Sequence, residues 1–176
     1  MPPEPTIRDS RDDDVAAIQA IYAHHVLHGT GTFELEPPTT TEIGQRRAAV
    51  LREGLPWLVA EADGRVLGYA YANWFRTRPA YRFTVEDSIY VAQDARGRGV
   101  GRSLLTELAD RCEHAGLRQL LAVIGDSRNT GSIALHAACG FRFAGTMRAT
   151  GWKHDRWLDT VLMQRELGAA DRTPPA

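Results

Sequence analysis

Phe83-Thr84-Val85-Glu86-Asp87-Ser88-Ile89-Tyr90-Val91, a break at Ala92-Gln93-Asp94-Ala95, and then Arg96-Gly97-Arg98-Gly99-Val100-Gly101-Arg102-Ser103 form the stretch whose reading decides the fold. The first segment is rich in β-branched and aromatic residues, which suit a pleated, half-buried strand. After the glycines, Leu104, Leu105, Leu108, Ala109 and Cys112 recur at helical spacing. A strand therefore runs through a glycine-rich turn into a helix. Glycines lack the Cβ atoms that would hold a bulky anion away, and the first turn of a helix offers N–H groups without intrahelical partners. Arg96, Arg98 and Arg102 add positive charge around that turn. The stretch reads as a backbone site for a phosphate-like group, against the alternative of a glycine turn that only caps a helix.

Two common phosphate motifs are excluded by spacing. A P-loop needs Gly five residues before its Gly-Lys-Ser/Thr; here Arg96 stands at the Gly position and Arg102 at the Lys position before Ser103. A dinucleotide fingerprint read from Gly97 meets Arg102 where its third glycine belongs, and read from Gly99 it meets Leu104.

Working outward, the 176 residues suit one domain with a sizeable core. The expected division is a disordered N-terminus over 1–5, one domain over 6–167 and a disordered Pro- and Ala-rich tail over 168–176. A net charge of −1 gives no sign of a nucleic-acid or membrane partner, and no apolar run reaches membrane-spanning length. The first residues lack signal-peptide character, so a cytoplasmic location is the default. Cys112 and Cys139 have neither metal-ligand nor disulfide-scaffold spacing and read as buried thiols. His24, His25 and His28 lack an acidic or thiol partner at ligand spacing, so a solvated helix end is favoured over a metal site.

Before the central stretch, Thr6-Ile7-Arg8 is a strand candidate, and Ser10 or Asp12 is a candidate cap for a helix with the stripe Val15, Ile18, Ile21, Tyr22 and Val26. A loop from Gly29 to Glu34 carries Phe33, which can reach a cleft. A more polar helix follows from Thr41 to Glu53. Asp63-Gly64 is a hairpin signal between Trp57–Glu61 and Arg65–Ala72. The connector Asn73–Arg82 mixes aromatics with arginines, and reads either as an aromatic-anchored linker or as a substrate loop for an anionic small molecule. After the glycine-led helix, Gln119–Ile124 is a nearly all-apolar strand, which implies a right-handed parallel crossover. Asp126-Ser127-Arg128-Asn129 opens a last helix before Cys139-Gly140-Phe141, and Arg142–Ala144 and Trp157–Gln164 are closing strands.

The spacing Arg96-x-x-Gly99-x-Gly101 resembles the pyrophosphate-binding signature of the GNAT superfamily of acyl-CoA-dependent N-acyltransferases. That resemblance implies an α/β (α+β) fold whose mixed, mostly antiparallel central sheet is flanked by helices, with acetyl-CoA as co-substrate. The cofactor residues it implies are Ser88, Ile89, Tyr90 and Val91 on the strand, Arg96, Gly97, Arg98, Gly99, Val100, Gly101, Arg102 and Ser103 in the loop, and Asn129 and Ser132 on the last helix. His136 stands where the superfamily commonly carries a Tyr assigned as general acid.

A narrower resemblance rests on Arg76-x-Arg78-x-Ala80-Tyr81-x-Phe83-Thr84-Val85-Glu86, Ser88-Ile89-Tyr90-Val91, Ala122-Val123-Ile124-Gly125, Leu135-His136 and Gly151-x-Lys153-His154-x-x-Trp157-x-Asp159. These look like phosphinothricin N-acetyltransferases over roughly residues 6 to 166. The implied reaction is acetyl transfer to the α-amine of phosphinothricin, methionine sulfoximine or methionine sulfone, by a homodimer without a metal. Glu86 and His136 are the implied catalytic residues, and Phe33, Arg76, Arg78, Pro79, Ala80 and Tyr81 the substrate residues. An amine must be deprotonated before it attacks a thioester, and Glu86 on the central strand is the best-placed base. A protein or peptide acetyltransferase and a non-catalytic acyl-CoA sensor on the same fold remain the alternatives.

Overall fold

A computed structural model describes residues 4–175. Of the expected disordered N-terminus, residues 1–3 lie outside the described residues. Strand β1 (Thr6–Asp9) is the outer strand of a seven-stranded sheet in the order β1-β2-β3-β4-β5-β7-β6. Helix α1 (Val15–His28) enters through a 3-10 turn over Asp12–Asp14. Neither Ser10 nor Asp12 caps it as the sequence suggested. Instead Asp14 accepts the Arg11 backbone N–H at 2.7 Å and a two-pronged bond from Arg8 at 2.7 and 2.8 Å. Ser10 and Asp12 are occupied by buried Arg47, at 2.7 and 2.6 Å. The α1 stripe buries Ile18, Ile21, Tyr22 and Val26 against the sheet. Helix α2 (Thr40–Arg52) starts with a reciprocal cap: Thr39 Oγ1 accepts the Glu42 N–H at 3.2 Å, and Glu42 accepts the Thr39 N–H at 2.6 Å.

Strands β2 (Trp57–Ala62) and β3 (Arg65–Trp74) form the expected hairpin. Its turn residues Asp63 and Gly64 have φ of 52° and 72°, the positive pair that matches the twist of adjoining strands. Strand β4 (Thr84–Val91) pairs antiparallel with β3. Helix α3 (Val100–His114) then crosses to β5 (Gln119–Gly125), which is parallel to β4. Leu104, Leu105 and Leu108 of α3 are fully buried, and each contributes roughly 1.5–3 kcal/mol by leaving water. Helix α4 (Thr130–Ala138) leads into β6 (Arg142–Lys153) and β7 (Arg156–Glu166). All pairings except β4–β5 are antiparallel. Buried Cys112 and Cys139 are free thiols.

Two segments depart from the sequence reading. Strand β6 runs well past Ala144, with register shifts at Phe143/Gly145 and Met147/Gly151 that absorb its glycines and polar residues. The tail from Gly168 to Pro175 is not loose. Leu167 and Ala170 are buried, and the Arg118 guanidinium donates to the Ala170 carbonyl at 3.1 Å, Thr173 Oγ1 at 3.2 Å and the Pro174 carbonyl at 3.3 Å. Small residues and prolines suggest disorder by composition, but a multidentate cation collects their backbone acceptors.

The feature that positions the site is a fork. β4 and β5 pair only from Thr84–Asp87 to Gln119–Ala122. Beyond that point β4 stays with β3 as far as Val91, and β5 stays with β7 as far as Gly125. A gap opens inside the sheet, and the edges of Ser88–Val91 and Val123–Gly125 that face it have no partner strand among the described residues.

Candidate active site

The fork opens into a cavity of about 650 Å³. Ser88, Ile89, Tyr90 and Val91 form one wall, Val123 and Ile124 the other, and Asn129 at the start of α4 with Ser132, Leu135 and His136 of α4 closes it. At its mouth lies the glycine loop with Arg96, Gly97, Gly99, Val100, Gly101 and Arg102. Gly97 and Gly99 have φ of 72° and 81°, and a Cβ on either would meet nothing within 4 Å. The loop is thus glycine-rich for backbone conformation and leaves open space where an anion approaches. Gly101 has a different reason: a Cβ there would stand 3.1 Å from Leu135 Cδ2, so the glycine lets α3 and α4 pack closely. Arg98 and Ser103, also expected at the cofactor, do not line the cavity.

Several polar groups are fixed around this space. Asn129 caps α4, its side-chain oxygen accepting the Ser132 N–H at 3.3 Å. His25, expected at a solvated helix end, is instead half-buried and lines the cavity, with Nε2 donating to the Val91 carbonyl at 2.9 Å. Burial pushes its pKa down, against the bond to Val91. Asp126, at φ 69°, keeps a carboxyl below its usual pKa: burial opposes ionisation, but the Arg128 N–H and the Arg156 guanidinium at 2.7 Å outweigh it. His136 and Asp87 form a buried pair, Nε2 to Oδ2 at 3.0 Å, while Nδ1 donates to the Ser132 carbonyl at 2.7 Å. Both ring nitrogens of His136 therefore have protein partners.

Glu86 faces the other side of the sheet. Side chains alternate along a strand, so Asp87 turns toward α4 while Glu86, Ser88 and Tyr90 turn toward α1. Tyr90 meets Tyr22 at 4.9 Å and His25 at 5.2 Å on that side. Burial raises the Glu86 pKa, helped by neighbouring Asp87 and opposed by Arg76. The Arg76–Tyr81 loop is exposed and does not line the fork cavity. Its Arg76 guanidinium lies 4.9 Å from the Phe75 ring, and Pro79–Tyr81 form a 3-10 turn with Tyr81 edge-on to Phe75 at 5.5 Å. Phe33 is a strut rather than a cavity residue. A Cβ on Gly151 would stand 2.5 Å from its ring, and one on Gly125 would collide with the Thr30 carbonyl and stand 2.9 Å from the ring, so the two strand glycines admit the Thr30–Phe33 loop. Lys153 Nζ and His154 Nε2 pin the same loop through the Thr32 and Gly29 carbonyls at 2.8 and 3.1 Å. The sequence reading missed Asp87, His25 and Gly29–Gly31, all of which line the cavity; the two strand glycines were the available signal for the close approach of that loop.

The profile of the acetyltransferase (GNAT) family matches residues 18–141. The chain belongs to that family. It is an acetyl-CoA-dependent N-acetyltransferase. The phosphinothricin N-acetyltransferase of Alcaligenes faecalis is 60% identical over 170 residues, covering 97% of this chain and 86% of that protein. The L-methionine sulfoximine/L-methionine sulfone acetyltransferase of Pseudomonas aeruginosa is 40% identical over 174 residues, covering 96% and 98%. The crystal structure of a GNAT superfamily phosphinothricin acetyltransferase from Sinorhizobium meliloti in complex with AcCoA superposes with a TM-score of 0.96 at 48% identity, covering 99% of this chain and 94% of that one. The expected fold, a mixed and mostly antiparallel sheet flanked by helices, is the one observed.

Proposed function

We propose that this acetyltransferase moves the acetyl group of acetyl-CoA to the α-amine of a small amino-acid analogue such as phosphinothricin, methionine sulfoximine or methionine sulfone. The observation that carries the reading is the fork in the sheet beside the glycine-led start of α3, with the substrate class supported by the 60% identical phosphinothricin enzyme. The glycine loop holds the cofactor's pyrophosphate, and the unpaired edge of Ser88–Val91 hydrogen-bonds its arm. Glu86, with its raised pKa, takes the amine proton directly or through a water. The free amine then attacks the thioester carbon, and a β4 backbone N–H steadies the oxyanion. Collapse breaks the C–S bond and releases CoA. The partners on both His136 nitrogens argue against His136 as the proton carrier, which leaves Glu86; it does not itself line the cavity but shares a strand face with Ser88 and Tyr90, which do. Transfer is direct: burial raises both thiols, Cys112 to about 12, so neither is an activated nucleophile.

Arg76, Arg78 and Tyr81 meet the acidic groups of the amino substrate from their exposed loop. A homodimer and a cytoplasmic location belong to the same reading. The dimer is supported by large apolar side chains left exposed on β6 and β7, where Phe143, Met147, Trp152 and Trp157 are 65%, 46%, 53% and 63% exposed and the two tryptophans meet at 5.2 Å. The test is free-CoA release with a panel of amines. Phosphinothricin or methionine sulfone is expected to be the best substrate; preference for peptide amines would replace the reading with a protein acetyltransferase.

A further inference from the structure

Helix α4 closes the cleft that opens between β4 and β5, so its spacing from β4 sets how far the cleft opens on that side. Yet α4 has only nine residues, and the one it buries fully is His136 rather than a hydrophobe. Gly131, Ala134, Ala137 and Ala138 are exposed, and Ile133 and Leu135 are only half-buried. Among the described residues, the His136 Nε2 to Asp87 Oδ2 bond is the side-chain hydrogen bond that joins α4 to β4. Asp87 is also the last β4 residue paired with β5, opposite Ala122, so this bond sits at the closed end of the fork. The Ser132 carbonyl can only accept, which keeps a proton on Nδ1 and leaves one proton shared between Nε2 and Oδ2. No nitrogen remains to reach a bound thioester.

We propose that Asp87 and His136 are positioning residues, a charged clasp that fastens α4 to β4 and sets the cleft for the acyl-CoA arm. This rests on the fork being the acetyl-CoA site. Broken, the clasp lets α4 drift and displaces Asn129, Ser132 and Leu135 together, which weakens cofactor binding more than it slows the chemical step.

The clasp has a defined pH sign. Burial disfavours the imidazolium, but the bond and charge of Asp87 outweigh it and raise the His136 pKa. A group raised in the folded state contributes fully at low pH and loses its contribution as the pH rises through the folded value. The clasp therefore loosens on the alkaline side. The neighbours facing it are Glu86 on β4, whose pKa Asp87 raises, Cys112 from α3 and Cys139 after α4, both thiols raised by burial, and the Phe141 ring edge-on at 5.0 Å. Arg102 and Arg165 act on Cys139 from α3 and β7.

Three measurements test this. Calorimetry of acetyl-CoA with the wild-type protein should show affinity falling as the pH rises above the ordinary imidazole range, while the ¹⁵N ring resonances of His136 leave the imidazolium form over the same interval. Asp87→Asn, which keeps size and removes charge, should raise KM for acetyl-CoA by roughly tenfold, exceed its effect on kcat, and abolish the alkaline fall. His136→Gln should likewise act mainly on KM. If His136→Gln instead lowers kcat by about 10²–10⁴ with KM unchanged, His136 is the proton donor and the clasp is overturned. A flat affinity in the wild type, read without any variant having to fold, overturns it as well. Wild-type protein that binds no acetyl-CoA at any pH overturns the cofactor site along with the clasp, whereas affinity that falls at alkaline pH with no amine acetylated supports the clasp and overturns only the reaction.

Discussion

The two halves of the site are built from different materials. The cofactor half is mostly backbone: glycines at φ of 72° and 81°, the start of a 15-residue helix, and two strands that part after Asp87 and Ala122. The proposed acceptor half is mostly side chains, with Glu86 on the far face of β4 and Arg76, Arg78 and Tyr81 on an exposed loop. A backbone site is set by chain path, and a side-chain contact to it is an adjustment. An acceptor site made of long side chains changes its preference with one substitution. One half should therefore respond to mutation through the shared chemistry, and the other through the choice of amine.

Glu86→Gln tests the junction of the halves and carries the largest effect. Size and hydrogen bonding persist while basicity is lost, so kcat should fall by roughly 10²–10⁴. Glu86 must be ionised to act, so the wild-type rate should fall as the pH drops through its raised pKa, and the variant should lack that limb. A stopped-assay pH profile of both proteins checks this. Next comes the acceptor loop. Arg76→Ala or Arg78→Ala each removes one charge-assisted hydrogen bond of roughly 1.5–3 kcal/mol, which should lower kcat/KM for phosphinothricin by about 10- to 150-fold. Calorimetric acetyl-CoA affinity should stay unchanged in both; a parallel loss would merge the two halves into one. The smallest effect is expected at Gly99→Val. Its φ of 81° makes the side chain cost roughly 1–3 kcal/mol of stability, seen as a lower Tm, and the valine projects toward the approaching phosphate. Acetyl-CoA affinity should drop about tenfold, with the preference among amines untouched.

The same contrast explains what the sequence could reveal. The strand from Thr84, the glycine loop and the leucine stripe of α3 lie in one continuous run with strong local signals, so they were readable in order. The hairpin at Asp63-Gly64 and the crossover to β5 followed from turn chemistry and apolar runs. The fork itself was not readable, because where two parallel strands part depends on partners 35 residues apart, Asp87 and Ala122. The Asp87–His136 pair joins residues 49 apart, and His25 reaches Val91 across 66, so neither leaves a local pattern. Phe33, expected at a cleft, is instead a strut whose place depends on Gly125 and Gly151, which only tertiary packing brings to it. Beyond Ala144, β6 leaves little local signal because its glycines and charged residues have weak strand preference and rely on β7 for pairing.

Amide hydrogen exchange on β4, with and without acetyl-CoA, tests the account most directly. The edge of Ser88–Val91 that faces the fork has no partner strand, so its backbone amides should exchange readily in the free protein and slow markedly when the cofactor arm pairs with them. Amides on the β3 side of the same strand are already paired and should change little. Saturating acetyl-CoA that leaves the fork-facing amides as exchangeable as before would contradict the claim that this gap in the sheet is where the cofactor lies.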